Sequence, residues 1–76
     1  MKKQFKKSEC ENIMEKFLEF HYAKNFSMYQ LIKYPHILIV DVVSLMDIEI
    51  EEIREMNLNV TLFAEDSHIQ IWLSKN

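Results

Sequence analysis

The sequence predicts a small single α+β domain, with elements in the order α-β-β-α-β-β and one or two helices packed on an antiparallel sheet. Three observations lead there. Apolar residues recur at three- and four-residue spacing behind a helix-start signal near the N-terminus. Four later segments are β-branched or alternate apolar with polar residues. Between the second and third of these lies an acidic stretch with apolar residues at helical spacing.

Ser8 followed by Glu11 reads as a capping box that opens the first helix. Cys10, Ile13, Met14, Phe17, Leu18 or His21, and Phe20 then form an apolar stripe that carries the helix to about Lys24. From Phe26 to Tyr34 the residues alternate, with Phe26, Met28, Ile32 and Tyr34 on one side and Ser27, Tyr29 and Lys33 on the other. Pro35 ends that strand and favours extended geometry at Tyr34. His36 to Val43 is the β-branched run of a central strand, paired with the first as a hairpin across Tyr34–His36. Two patterns compete over residues 45–56. Asp47 to Glu51 alternates like a strand, whereas Ser44 and Asp47 would cap a helix through Met56 with Met46, Ile50 and Ile53 on one face. Acids are poor strand formers, which favours the helix. Leu58 to Ala64 and His68 to Leu73 are the last two strands, joined by the turn Glu65-Asp66-Ser67.

The composition excludes more functions than it suggests. The 76 residues include no glycine, where average usage near 7% would supply about five. Glycine alone enters positive φ cheaply and lets a backbone approach a ligand closely. Its absence removes the phosphate-binding loop, the dinucleotide fingerprint and the nucleophile elbow together, so no enzyme is expected. Hydrophobic residues make up 49% and charged residues 28% of the chain, which is the balance of a folded domain. Cys10 is the sole cysteine, so no intramolecular disulfide forms and a reducing compartment fits. No apolar run reaches membrane-spanning length, and Ser8, Glu9, Glu11 and Asn12 follow the early lysines where a secretion signal would need an apolar core. A cytoplasmic protein is expected.

The net charge of −3 hides an asymmetry. Residues 1–7, expected to form a flexible basic tail, carry four lysines; residues 8–76, the folded domain, carry twelve acids against five bases. Two acidic rows stand out. Glu11, Glu15 and Glu19 follow at i, i+4 and i+8 on the first helix, and Asp47, Glu51 and Glu55 do the same on the second. Like charges four apart weaken a helix by a few tenths of a kcal/mol per pair. Lys16 and Arg54 give only thin compensation.

Other candidate sites are weaker. His21, His36 and His68 lie in separate elements without metal-ligand spacing, so neither a metal nor a cofactor is expected. Asp66-Ser67-His68 spells a triad, but triads converge in space and seldom in sequence, so a polar hairpin tip is expected. Cys10 sits on the apolar stripe as a packing residue. Asp41 interrupts an apolar strand, either as a solvent-facing charge on an edge or against a basic partner. Tyr22, Lys24, Phe26, Tyr29, Lys33 and Tyr34 have the composition of a base-stacking surface, yet the alternation sends Phe26 and Tyr34 to the core. Met14, Met28, Met46 and Met56 read as core filler.

These observations favour a non-catalytic binding module that meets a basic protein surface through Glu11, Glu15, Glu19, Asp47, Glu51 and Glu55. In size and charge the chain is similar to small acidic inhibitors of phages and mobile elements, such as anti-restriction and anti-CRISPR proteins, though no motif marks it as one. A homo-oligomer pairing through its sheet is the alternative. Direct nucleic-acid binding, through the lysines of residues 1–7 and the Tyr29/Lys33 face, is the least favoured because the body is acidic.

Overall fold

Helix α1 (Lys7–Leu18) is followed by a 3₁₀ turn (Ala23–Asn25), strands β1 (Phe26–Gln30) and β2 (Leu38–Val42), helix α2 (Asp47–Arg54), and strands β3 (Leu58–Ala64) and β4 (Ile69–Lys75). These elements come from a computed structural model that describes residues 3–76. The sheet is antiparallel throughout, in the order β1-β2-β4-β3. Two hairpins thus lie side by side, with the most apolar strand, β2, in the interior as its β-branched run requires.

Strand register decides which face is covered. Phe26 and Met28, Leu38, Val40 and Val42, Ile71 and Leu73, and Leu58 and Val60 fall on one face, since side chains alternate along each strand. Ile13 and Phe17 of α1 and Ile53 of α2 close over that face and complete the core. Phe17 stacks on Phe26 with ring centroids 6.0 Å apart. Each such side chain, fully buried, stabilises the fold by about 1.5–3 kcal/mol.

The element order matches the sequence reading, and several boundaries and faces differ. Helix α1 starts one residue before Ser8, which therefore caps nothing. The residue that reaches back is Glu9: its Oε1 accepts the Lys6 N–H at 2.7 Å and the Lys75 ammonium at 2.6 Å. The Lys75 bond first, and the Lys6 N–H second, hold Glu9 below the usual carboxylate range. The helix stops at Leu18 rather than near Lys24, so that the chain can turn at Glu19–His21 and deliver Phe26 to the sheet. Strand β1 ends at Gln30 and β2 starts at Leu38. The hairpin connection is consequently the longer Leu31–Ile37 loop, pinned by Tyr34 N–H to Leu31 O (3.1 Å) and Ile37 N–H to Tyr34 O (3.0 Å). Ile32 and Tyr34 belong to that loop and are exposed, Ile32 fully, instead of sharing the face of Phe26 and Met28. Of the basic segment, Lys7 is helical and Phe5 packs against the core; Met1 and Lys2 lie outside the described residues.

The 45–56 segment is helical. Its cap is Met46 and not Ser44, and its buried residues are Glu49 and Ile53. Met46 is exposed, as is Met14, so only Met28 and Met56 of the four expected fillers pack against the core. Glu55 caps the helix in right-handed geometry, and the turn after it closes at Asn57 with φ 64°, a left-handed position that asparagine tolerates. Its N–H donates to Arg54 O at 3.0 Å. Strand β3 has the predicted limits, and β4 is displaced one residue at its start and two at its end.

Glu49 has no solvent exposure. A carboxylate buried without a partner costs several kcal/mol, and His21, just past α1, supplies the partner: its Nε2 lies 2.6 Å from Glu49 Oε2, in a contact almost wholly buried. This bond joins the two helices across the top of the core. Removing one member of a buried pair costs about 3–5 kcal/mol, which rivals the roughly 3–5 kcal/mol of net stability that a core this small provides. Glu49→Ala should therefore abolish cooperative urea unfolding at 25 °C. The double replacement His21→Leu/Glu49→Leu should keep a cooperative transition close to that of the native chain. A Glu49→Ala protein with an unshifted midpoint would show that the pair contributes nothing.

Candidate functional site

At 100° per residue, Glu11 and Glu15 lie opposite the Ile13–Phe17 stripe of α1, and Asp47 and Glu51 lie opposite the Glu49–Ile53 stripe of α2. All six row residues are exposed, including Glu19 and Glu55 at the two C-caps. Because both helices cover the same sheet face, both rows belong to one helical layer and point away from the core. Lys16 spans that layer, 3.0 Å from Glu19 and 3.5 Å from Glu52. Asp47 has a local reason to be where it is, since an acid in the first turn complements the positive end of the helix dipole. Glu19 and Glu55 have the opposite placement: each stands at a helix C-terminus, where the dipole disfavours negative charge.

The other sheet face carries no helix. Register places Tyr29, Ile39, Trp72 and Thr61 in one cross-strand row and Ser27, Asp41, Gln70 and Phe63 in the next. A hydrogen-bond chain links them: Trp72 Nε1–H donates to Gln70 Oε1 at 2.8 Å, and Gln70 Nε2–H donates to the Tyr29 hydroxyl at 3.3 Å. Phe63 meets Trp72 edge to face at 5.3 Å. Ile39, between Tyr29 and Trp72, is only 2% exposed. Burial first, and the nearby Asp41 charge second, push the Tyr29 hydroxyl above its ordinary pKa.

Asp41 is thus on an interior strand and not on an edge, half-buried, with its Oδ1 3.6 Å from His68 Nε2. Ser67 Oγ lies 3.4 Å from His68 Nδ1. The carboxylate that faces His68 is therefore Asp41, from across the sheet, and not its sequence neighbour Asp66. A working nucleophile and base approach to about 2.6–3.2 Å, so both separations are long for a triad. Ser67 is exposed on the hairpin tip.

The remaining sequence candidates do not converge. Tyr22 is exposed beside the 3₁₀ turn, Lys33 lies 5.9 Å from the Tyr34 ring in the loop, and Phe26 belongs to the core. Cys10 is half-buried, with burial foremost pushing its thiol pKa up and away from reactivity. Among the described residues no group of three or more His, Cys, Asp or Glu side chains gathers as a metal site, and no helix is long and apolar enough to cross a membrane. A cleft of about 370 Å³ opens at the start of α1, between Phe5, Ile13 and Leu58 on its apolar side and Glu9, Lys75 and Asn76 on its polar side. Comparison with protein-family models, with curated proteins and with solved structures yields no significant match.

The open-face network was hidden in the sequence because its members are far apart; the only local trace was the alternation of Gln70, Trp72 and Ser74 against Ile69, Ile71 and Leu73. Ultraviolet titration of the tyrosines provides a test. The phenol absent from a Tyr29→Phe spectrum should ionise above the ordinary value of about 10, and Asp41→Asn should bring it down toward that value. A Tyr29 titration indifferent to Asp41→Asn would rule out the electrostatic coupling.

Proposed function

We propose that this protein is a non-catalytic binding module, an inhibitor or adaptor that docks its helical layer on a basic surface of another protein. A nucleic-acid-handling protein offers such a surface, and an anti-defence inhibitor of phage or mobile-element origin, acting in the cytoplasm, would take this form. The observation that carries the reading is the outward placement of six exposed acids on two neighbouring helices. Glu19 and Glu55 oppose their helix dipoles. Like charges at i, i+4 add a further small cost, so folding alone does not account for the pattern. Nucleic acid suits this surface badly, because phosphates are repelled by a body with twelve acids and five bases.

Complementary charge acts mainly on encounter and specificity, and its effect fades with added salt. Capture from a native cell lysate should therefore retain a basic protein that salt releases. Replacing Glu11, Glu15, Glu19, Asp47, Glu51 and Glu55 by lysine should weaken that interaction at least about tenfold, with the far-ultraviolet dichroism of the fold unchanged. Equal retention by the native and charge-reversed chains would defeat the proposal.

A further inference from the structure

Strand β3 is an unprotected sheet edge. Natural edges are blunted by charge, proline, bulges, shortness or a covering element. The seven residues Leu58–Ala64 contain no charge and no proline, and they pair with β4 residue for residue without a bulge. Leu58 is covered, but Thr61 to Ala64 are exposed, including Leu62 and Phe63 at 43% each on opposite faces. The other edge, β1, is two residues shorter.

The phase of the ladder tells which backbone groups face outward. At one end Glu65 N–H donates to His68 O at 2.8 Å, and at the other Asn76 N–H donates to Asn57 O at 3.4 Å. Both bonds belong to the same β3–β4 register, in which hydrogen-bonded and non-bonded pairs alternate. Asn59, Thr61 and Phe63 therefore bond inward to β4. The N–H and C=O groups of Leu58, Val60, Leu62 and Ala64 point to the free edge.

We infer that β3 pairs antiparallel with β3 of a second copy of this chain, about a two-fold axis through Thr61. That register matches the outward groups of each copy: Val60 bonds with Leu62, and Leu58 with Ala64, across the axis. Thr61 meets its own copy as a non-hydrogen-bonded pair, side chains about 4.5–5.5 Å apart, and threonine pairs are favourable there. A two-fold interface must be self-complementary, and an uncharged strand places no like charges opposite each other. The ends agree as well. Antiparallel pairing sets the acidic Glu65-Asp66 turn of each copy beside the Leu58 end of the other, where Lys3 Nζ reaches Asn76 O at 3.3 Å, the Lys75 ammonium there being held by Glu9. The axis runs perpendicular to the sheet, so the dimer is a continuous eight-stranded sheet with both helical layers on one side. This interface is separate from the acidic rows and stands whether or not they bind a partner.

Light scattering and sedimentation equilibrium across the micromolar range should give twice the 9.2 kDa chain mass. Thr61 is exposed on the open face, so Thr61→Lys and Thr61→Glu should each fold normally and dissociate the dimer at least about tenfold more readily, by setting like charges opposite. An equimolar mixture of the two variants should dimerise again. A native chain that stays monomeric, a Thr61→Lys dimer as tight as the native one, or a mixture that fails to recover would each overturn the inference.

Discussion

Glu49 makes no contact with solvent and carries the only buried acidic side chain among the described residues. A group of this kind has to be answered by a donor, and the geometry of α2 follows from where that donor sits. His21 lies immediately beyond α1, so its bond to Glu49 sets the first turn of one helix against the end of the other. Ile53, one turn further along α2, then falls over Leu58 and the sheet core. With the inward stripe of each helix so fixed, helical periodicity turns Glu11, Glu15, Asp47 and Glu51 outward. A hydrophobic pair of similar size could hold the helices with comparable strength; of the two Glu49 oxygens, Oε2 meets His21 and Oε1 is buried without a hydrogen-bond partner.

The parts of the molecule legible in its sequence are those decided by neighbours in the chain. Leu58–Ala64 was readable because Asn57 and the Glu65-Asp66-Ser67 turn bracket an uninterrupted β-forming run. The interior position of the Leu38–Val42 strand followed from its unbroken apolar character. Where the reading failed, a distant residue had decided the outcome. Ser8 and Glu11 have the spacing of a capping box, yet Glu9 takes the role because Lys75, arriving from the last strand, meets the same oxygen. Glu49 stands within an acidic run and carries no local sign of burial; a histidine 28 residues away supplies its partner. Ile32 and Tyr34 continued an alternation that the chain does not use, because the Leu31–Ile37 loop turns before Pro35 and carries both residues to the surface.

The sheet separates two kinds of surface. One side carries the helical layer with its outward acids. The other is bare and joins Tyr29, Gln70, Trp72 and Phe63 in a hydrogen-bonded and aromatic network around Ile39. Ile39, paired with Tyr29 on one side and Trp72 on the other, is buried on this face. The sole carboxylate on this face, Asp41, is flanked by His68 and by the polar network, which keeps an interior strand from presenting a purely apolar surface.

The lack of glycine acts on the chain before it folds. The turn between α2 and β3 closes in a left-handed residue, and that residue is Asn57, steadied by Asn76 Nδ2–H at 2.8 Å from its side-chain oxygen. No other described residue has positive φ, so both hairpins turn within ordinary backbone space. Every residue of the unfolded chain therefore carries a Cβ that narrows its conformational range, and fewer states are surrendered on folding than in a glycine-bearing chain of equal length. For a domain whose core is near the lower limit of size, part of its stability resides in the restricted entropy of the state it leaves.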